Sequence, residues 1–312
     1  MASPSQVRPS WLARIDEMAA EIVPTTVPIE TDTLDIIKNM LLAQGDEDEA
    51  VNKAAQDIRS YYTTRLFPPN DPFYKNLPDH GVAHVVGAVI DHVFELASAI
   101  SWKDPAHKRL ADLLVALKKS AATEFNPENP QLGWDSSNLD WHAAEVWRTF
   151  TPNHASPVQE CIEAVRTHAL LARLVAADLF PADGAWRTAK CVSEGLTSFF
   201  SAQEGGAASA IADEFALDTP LVRTCRAAIA TRYVVVAGSA LPRELRRVPV
   251  PDTDLALRKG EWRDWANRLR QLASKSTTET ESAGVVATEE WDLEAGAIEA
   301  ARKVEGWLSG HE

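Results

Sequence analysis

Apolar residues recur at spacings of three and four along almost the whole chain, and alternating apolar–polar runs are nearly absent. A helix turns once in about 3.6 residues, so this spacing gathers apolar side chains on one helical face, whereas a half-buried strand needs a period of two. Leu34, Ile37, Met40 and Leu41 make one such stripe, closed by Gly45. Val51, Ala54, Ala55, Ile58, Tyr62 and Leu66 make the next, ended by Pro68 and Pro69. Val82, Val85, Val86, Val89, Val93, Leu96 and Ile100 make a third. The pattern predicts an all-α fold, a multi-helix bundle or a paired-helix, solenoid-like array.

Helix punctuation agrees. Asp46 with Glu49, and Ser156 with Gln159, stand at capping-box spacing, in which each side chain satisfies an orphan backbone N–H. Asp104-Pro105 and Thr219-Pro220 read as an N-cap followed by proline in the first turn. The second of these opens the most apolar segment, from Leu221 through Cys225, Ile229 and Val236 to Leu241. A helix apolar nearly all round belongs in the middle of a structure, so this one is expected to be the central buried helix. Residues 1–275 are expected to form one helical domain. The Ser/Thr/Glu stretch that follows predicts a disordered linker over 276–287. A C-terminal amphipathic helix over 288–312 holds Trp291, Ile298, Val304 and Trp307.

Composition narrows the partners. The net charge of −14 disfavours nucleic acid, whose phosphates need a basic face. No apolar run is long enough to cross a bilayer, which takes about 20 residues, so no membrane span is expected. The first residues lack the apolar core of a signal peptide. The three cysteines, Cys161, Cys191 and Cys225, include no CxxC pair and read as small core residues in a reducing compartment. A cytoplasmic protein is expected, with a protein or a small molecule as partner and no cofactor.

Three groups of side chains are candidates for chemistry. His80 and His84 are four apart on one helical face, and Asp91 lies two turns beyond His84. Two imidazoles and a carboxylate on one side of a helix can hold Zn²⁺ or Fe²⁺. The same residues also suit a solvated polar face, and no HExxH is formed, since Gly81 and Val82 fill those places. Trp141, Glu145 and Arg148 share one face of a short helix. A carboxylate beside an indole has a raised pKa and acts as an acid or base; the plainer reading is an i,i+3 ion pair over packed tryptophans. Arg226 and Arg232 lie on the apolar helix, where a guanidinium needs a carboxylate or a bound anion. Glu145 and Glu194 are the expected partners. Trp262 and Trp265, three apart in the locally basic stretch Arg258 to Arg270, suit either a partner-binding face or a plain solvated one.

Other signatures are missing. The chain has no GxSxG elbow, no GxxxxGK[ST] or GxGxxG phosphate turn, no DDxxD cluster and no His-Asp doublet.

Three stretches carry a family resemblance. One is Ser101-Trp102-Lys103-Asp104-Pro105-Ala106-His107-Lys108-Arg109-Leu110 with Leu113-Leu114. The second is the helix with Leu139 and the pair Glu145 and Trp147. The third runs from Ala227 to Leu241, with Ala237-Gly238 near its end. Together they resemble a fungal family known as domain of unknown function 3632, over roughly residues 82–272. The resemblance implies a fungal source and an α-helical fold. It carries no catalytic residues to this chain, and it adds an expected neighbourhood in fungal secondary metabolism. Two readings of function follow: a non-catalytic interaction or regulatory protein, and an enzyme or small-molecule-binding accessory protein with a pocket between helices.

Overall fold

The computed structural model describes residues 9, 11–23, 28–61, 82–120, 136–149, 152–180, 183–201, 217–247, 259–282 and 291–310. Among them there are twelve helices and no strand. The helices are α1 (Trp11–Glu21), α2 (Ile29–Leu42), α3 (Glu47–Tyr61), α4 (Val82–Ala99), α5 (Pro105–Lys119) and α6 (Ser136–Thr149). They continue as α7 (Val158–Ala176), α8 (Asp183–Ser201), α9 (Pro220–Ala237), α10 (Ala240–Arg247), α11 (Lys259–Ser282) and α12 (Leu293–Ser309). The chain divides into two compact units, Met1–Ala143 and Ala144–Glu312.

In the first unit α2 packs on α3 and α4, and α3 on α5. The apolar stripes meet there: Leu34, Ile37, Ile58, Val89, Leu96, Leu110 and Leu113 are all buried. Asp104 caps α5 by accepting from Ala106 N at 2.8 Å, with Pro105 in the first turn. Asp46 accepts from Asp48 N and Glu49 N at 2.9 and 3.2 Å, the N-cap half of the expected capping box. Arg109, on α5, closes the other end of α2. Its Nη1 donates to Met40 O, Leu41 O and Ala43 O, the carbonyls a helix C-terminus leaves unsatisfied.

In the second unit α9 is the central helix. It packs on α7, α8 and α12, and Val222, Cys225, Ala228, Tyr233 and Val234 are fully enclosed. Thr219 caps it by accepting from Val222 N at 3.3 Å. The apolar run from Ala227 to Leu241 does not form one helix, however. Gly238, at φ +52°, ends α9, and α10 begins at Ala240. A left-handed residue breaks the hydrogen-bond ladder where the apolar pattern alone shows no interruption.

Further local expectations differ. Ser156 does not cap α7; it accepts from Asn153 N at 2.9 Å instead, and Pro157 takes the N-cap position. α11 continues to Ser282, through the first part of the stretch read as a disordered linker, and residues 283–287 lie outside the described residues. The last helix starts at Leu293 and packs along α11 and α9. Trp307 meets Trp262 edge to face at 6.0 Å, and Lys303 Nζ donates to Val235 O at 3.1 Å. Trp262 and Trp265 are therefore core residues, not a partner-binding face.

Candidate functional site

Three helices of the second unit bring titratable side chains to one recess. Cys191, Glu194, Gly195 and Ser198 follow one another at helical spacing along one face of α8. Arg226, Ile229 and Tyr233 do the same on α9. His168 comes from α7. A Cβ on Gly195 would lie 2.3 Å from Arg226 O, so only glycine lets α8 approach the α9 backbone this closely. Pro152, His168, Cys191, Glu194, Gly195, Arg226 and Ile229 line a recess of about 20 Å³, room for about one water molecule.

Of the lining residues, His168 belongs to a buried hydrogen-bond cluster. The Tyr233 hydroxyl accepts from Trp147 Nε1 at 2.7 Å and bonds His168 Nδ1 at 2.7 Å. The His168 and Tyr233 rings meet edge to face at 5.5 Å. Burial holds the Tyr233 phenol well above its ordinary value, and the negative charge of a Cys191 thiolate would raise it further. Cys191 is half-buried as a residue, but its thiol faces inward to Tyr233. Desolvation, and then the charge of Glu194, push it up to about 12. Neither group is an ionised nucleophile at neutral pH. Glu194 itself pairs with Lys190 one turn earlier at 3.4 Å.

Beside the recess, the buried carboxylate of Asp218 gathers three partners. His154 Nδ1 lies 2.6 Å from Oδ1. Ser198 Oγ donates to Oδ2 at 2.7 Å. Arg226 Nε stands 3.0 Å from the same oxygen, close enough for an ion pair but not aligned as a hydrogen bond. Arg226 Nη2 donates to Pro152 O at 2.7 Å, and Thr219 N donates to His154 O at 2.9 Å. The cluster thus clasps residues 152–156 to the start of α9 and to α8. It contains the residue types of a hydrolytic triad, but they are wired differently. Serine and histidine both bond the carboxylate, whereas a triad needs the imidazole to take the serine proton.

The sequence-derived candidates fall in separate places. His84 and Asp91 are exposed on α4, and His80 lies outside the described residues. Glu95, which continues their row, pairs with Arg14. Among the described residues no group of three or more His, Cys, Asp and Glu side chains is arranged to hold a metal. Trp141 is 64% exposed. Glu145 is half-buried, and the Arg148 side chain lies outside the described residues. Trp147 is buried and joins the cluster through Tyr233. Arg226 alone of the candidates lines the recess, and it pairs with the carboxylate of Asp218. Arg232 is buried, with Nη2 donating to Trp291 O at 3.0 Å, which ties α9 to the start of the last helix.

Asp218, His154, His168 and Ser198 were not singled out from the sequence. Asp218 precedes a Thr-Pro helix start and looks like ordinary capping chemistry, while His154 and Ser198 stand far from it in the chain. The one available signal was Arg226, which required a carboxylate and lies two turns along the helix that Asp218 precedes.

A family profile, described as a protein of unknown function (DUF3632), matches residues 91–291. The chain belongs to the DUF3632 family. The matched span takes in every residue of the recess and of the Asp218 cluster, so both lie within the DUF3632 region and not in an appended segment. No curated protein and no solved structure matches the chain. Among the described residues no helix is long and apolar enough to cross a membrane.

Proposed function

We propose that this DUF3632 chain is a non-catalytic, cytoplasmic interaction or regulatory protein of a fungal cell. The observation that carries the reading is the size and wiring of the recess. It holds about 20 Å³, whereas small-molecule sites enclose roughly 300 Å³ or more. Its polar groups already have partners within the protein: Glu194 bonds to Lys190, Arg226 to Asp218 and Pro152, His168 to Tyr233. Trp141, an aromatic of the kind that anchors protein interfaces, is exposed on α6. The three cysteines are free, as a reducing cytoplasm would keep them. The fungal source rests on the family resemblance.

A second reading, an accessory enzyme or small-molecule binder of fungal secondary metabolism, is favoured by one observation. His168, Cys191, Glu194 and Arg226 converge on the recess from three helices.

Native mass spectrometry of the full-length chain, isolated from its own host, separates the two. The interaction reading expects a discrete protein complex that re-forms from purified components and is lost in Trp141→Ala. A stoichiometric small-molecule adduct that disappears in Arg226→Met overturns it in favour of the second.

A further inference from the structure

Cys161 and Cys225 lie apart from the recess, and neither reading of function uses them. Cys161 is in the first turns of α7 and Cys225 in the second turn of α9, two helices packed against each other. Both are free and fully buried. Cys225 Sγ donates to Cys161 O at 3.3 Å, which brings the Cys225 thiol against Cys161. Cys161 Sγ is 3.8 Å from Ser156 O, at the end of residues 152–156, which the Asp218 cluster holds down.

We propose that Cys161 and Cys225 are an oxidisable dithiol site, closed by hydroperoxide to a disulfide that staples α7 to α9. The asymmetry of the pair assigns the roles. The neighbouring Cys225 thiol holds the Cys161 thiol below its ordinary value; burial and the neighbouring Glu160 oppose it, and Arg226 assists. The positive end of α7 favours a thiolate at the same place. Burial, and then the neighbouring Cys161 thiol, raise Cys225 well above the ordinary value. Cys161 is the attacking sulfur and Cys225 the resolving one. Opening of residues 152–156, whose His154 latch is partly exposed, admits the oxidant.

The steps balance. The Cys161 thiolate attacks one peroxide oxygen, the O–O bond breaks, and the departing hydroxide takes a proton and leaves as water. The Cys225 sulfur then attacks the sulfur of the Cys161 sulfenic acid. The S–O bond breaks, and the second hydroxide takes the Cys225 proton. Two thiols lose two electrons and two hydrogens, and hydrogen peroxide becomes two waters. Cys191, with no thiol beside it and its own thiol pushed up to about 12, stays reduced.

The test uses the purified full-length chain and hydrogen peroxide, with remaining thiols alkylated after unfolding. The expected result is a mass lower by two hydrogens, one alkylated cysteine, Cys191, and a Cys161–Cys225 linked peptide that dithiothreitol releases. Three alkylated cysteines after peroxide, or a link through Cys191, overturns the proposal. Dimedone, which traps sulfenic acid, assigns the roles. Cys225→Ser should give an adduct at Cys161, and Cys161→Ser none. Absence of the first adduct in folded protein overturns the assignment of Cys161 as the attacking sulfur. If either serine variant fails to fold, the wild-type mass and peptide map decide alone.

Discussion

The Asp218 carboxylate, fully buried just ahead of α9, faces the guanidinium of Arg226 two turns into the same helix, Oδ2 to Nε at 3.0 Å. His154 and Ser198 complete the shell around that carboxylate. One acidic side chain thereby holds the α9 start, the loop before α7 and the end of α8 in a single arrangement.

Asp218→Ala should be the most damaging single change in this cluster. It leaves a largely buried guanidinium without its carboxylate, a loss worth about 3–5 kcal/mol. Ser198→Ala removes one hydrogen bond and should cost about 1 kcal/mol. Urea unfolding of both variants checks the order. If the serine change costs as much as the aspartate change, the ion pair is not the centre of the cluster.

Gly195→Ala and Gly87→Ala should have opposite signs. At Gly195 a Cβ would meet the Arg226 carbonyl at 2.3 Å, and backbone cannot swing aside as a side-chain tip can; overpacking of this kind costs about 1–3 kcal/mol. A Cβ on Gly87, inside α4, meets nothing within 4 Å, so alanine there should stabilise by about 0.5–1 kcal/mol. Thermal unfolding of the two variants gives the signs directly.

Alkaline pH should weaken the fold through Cys191. Its folded pKa of about 12 exceeds the ordinary thiol value of 9.0, so between these values the folded chain keeps a proton that the unfolded chain releases. Stability then falls as pH rises from the lower value toward the upper, and no such slope arises from this group at neutral pH. Cys191→Ala should make the urea midpoint fall less between neutral pH and about pH 10. An unchanged slope would mean that the thiol is not desolvated in the folded chain.

Two tryptophans on α6 should behave as opposites. Trp141→Ala, at a largely exposed position, should change stability by less than about 0.5 kcal/mol. Trp147→Ala removes a buried ring and the donor to Tyr233 and should cost about 3–5 kcal/mol. Denaturant melts followed by circular dichroism compare them. A large loss at Trp141 would show that its ring serves packing, and would remove the support it lends to the interaction reading.

Much of the secondary structure was legible because helices are local. The stripe of Leu34, Ile37 and Met40, the Asp104-Pro105 start and the Thr219-Pro220 start are written in residues within two turns of each other, and each appears as read. The failures come from side chains with alternative local uses. Ser156 has the chemistry of an N-cap but serves Asn153 N, and Gly238 interrupts an apolar run that the hydrophobic pattern leaves unbroken. The recess was legible only at Arg226, because a charge on an apolar helix is anomalous wherever its partner lies. His154, His168 and Ser198 carry no anomaly of their own.

By itself, the sequence determined the helical class, the burial of α9 and the need for a counter-charge at Arg226, since periodicity and desolvation act on any chain with this pattern. Only the tertiary structure decided that the counter-charge is Asp218 and that Cys161 lies against Cys225. It also decided that Trp141 faces solvent while Trp147 joins Tyr233. Those pairings depend on how α7, α8 and α9 cross, and close approaches such as Gly195 on the α9 backbone set that crossing. Residues so distant in the chain meet only after packing has chosen which faces touch.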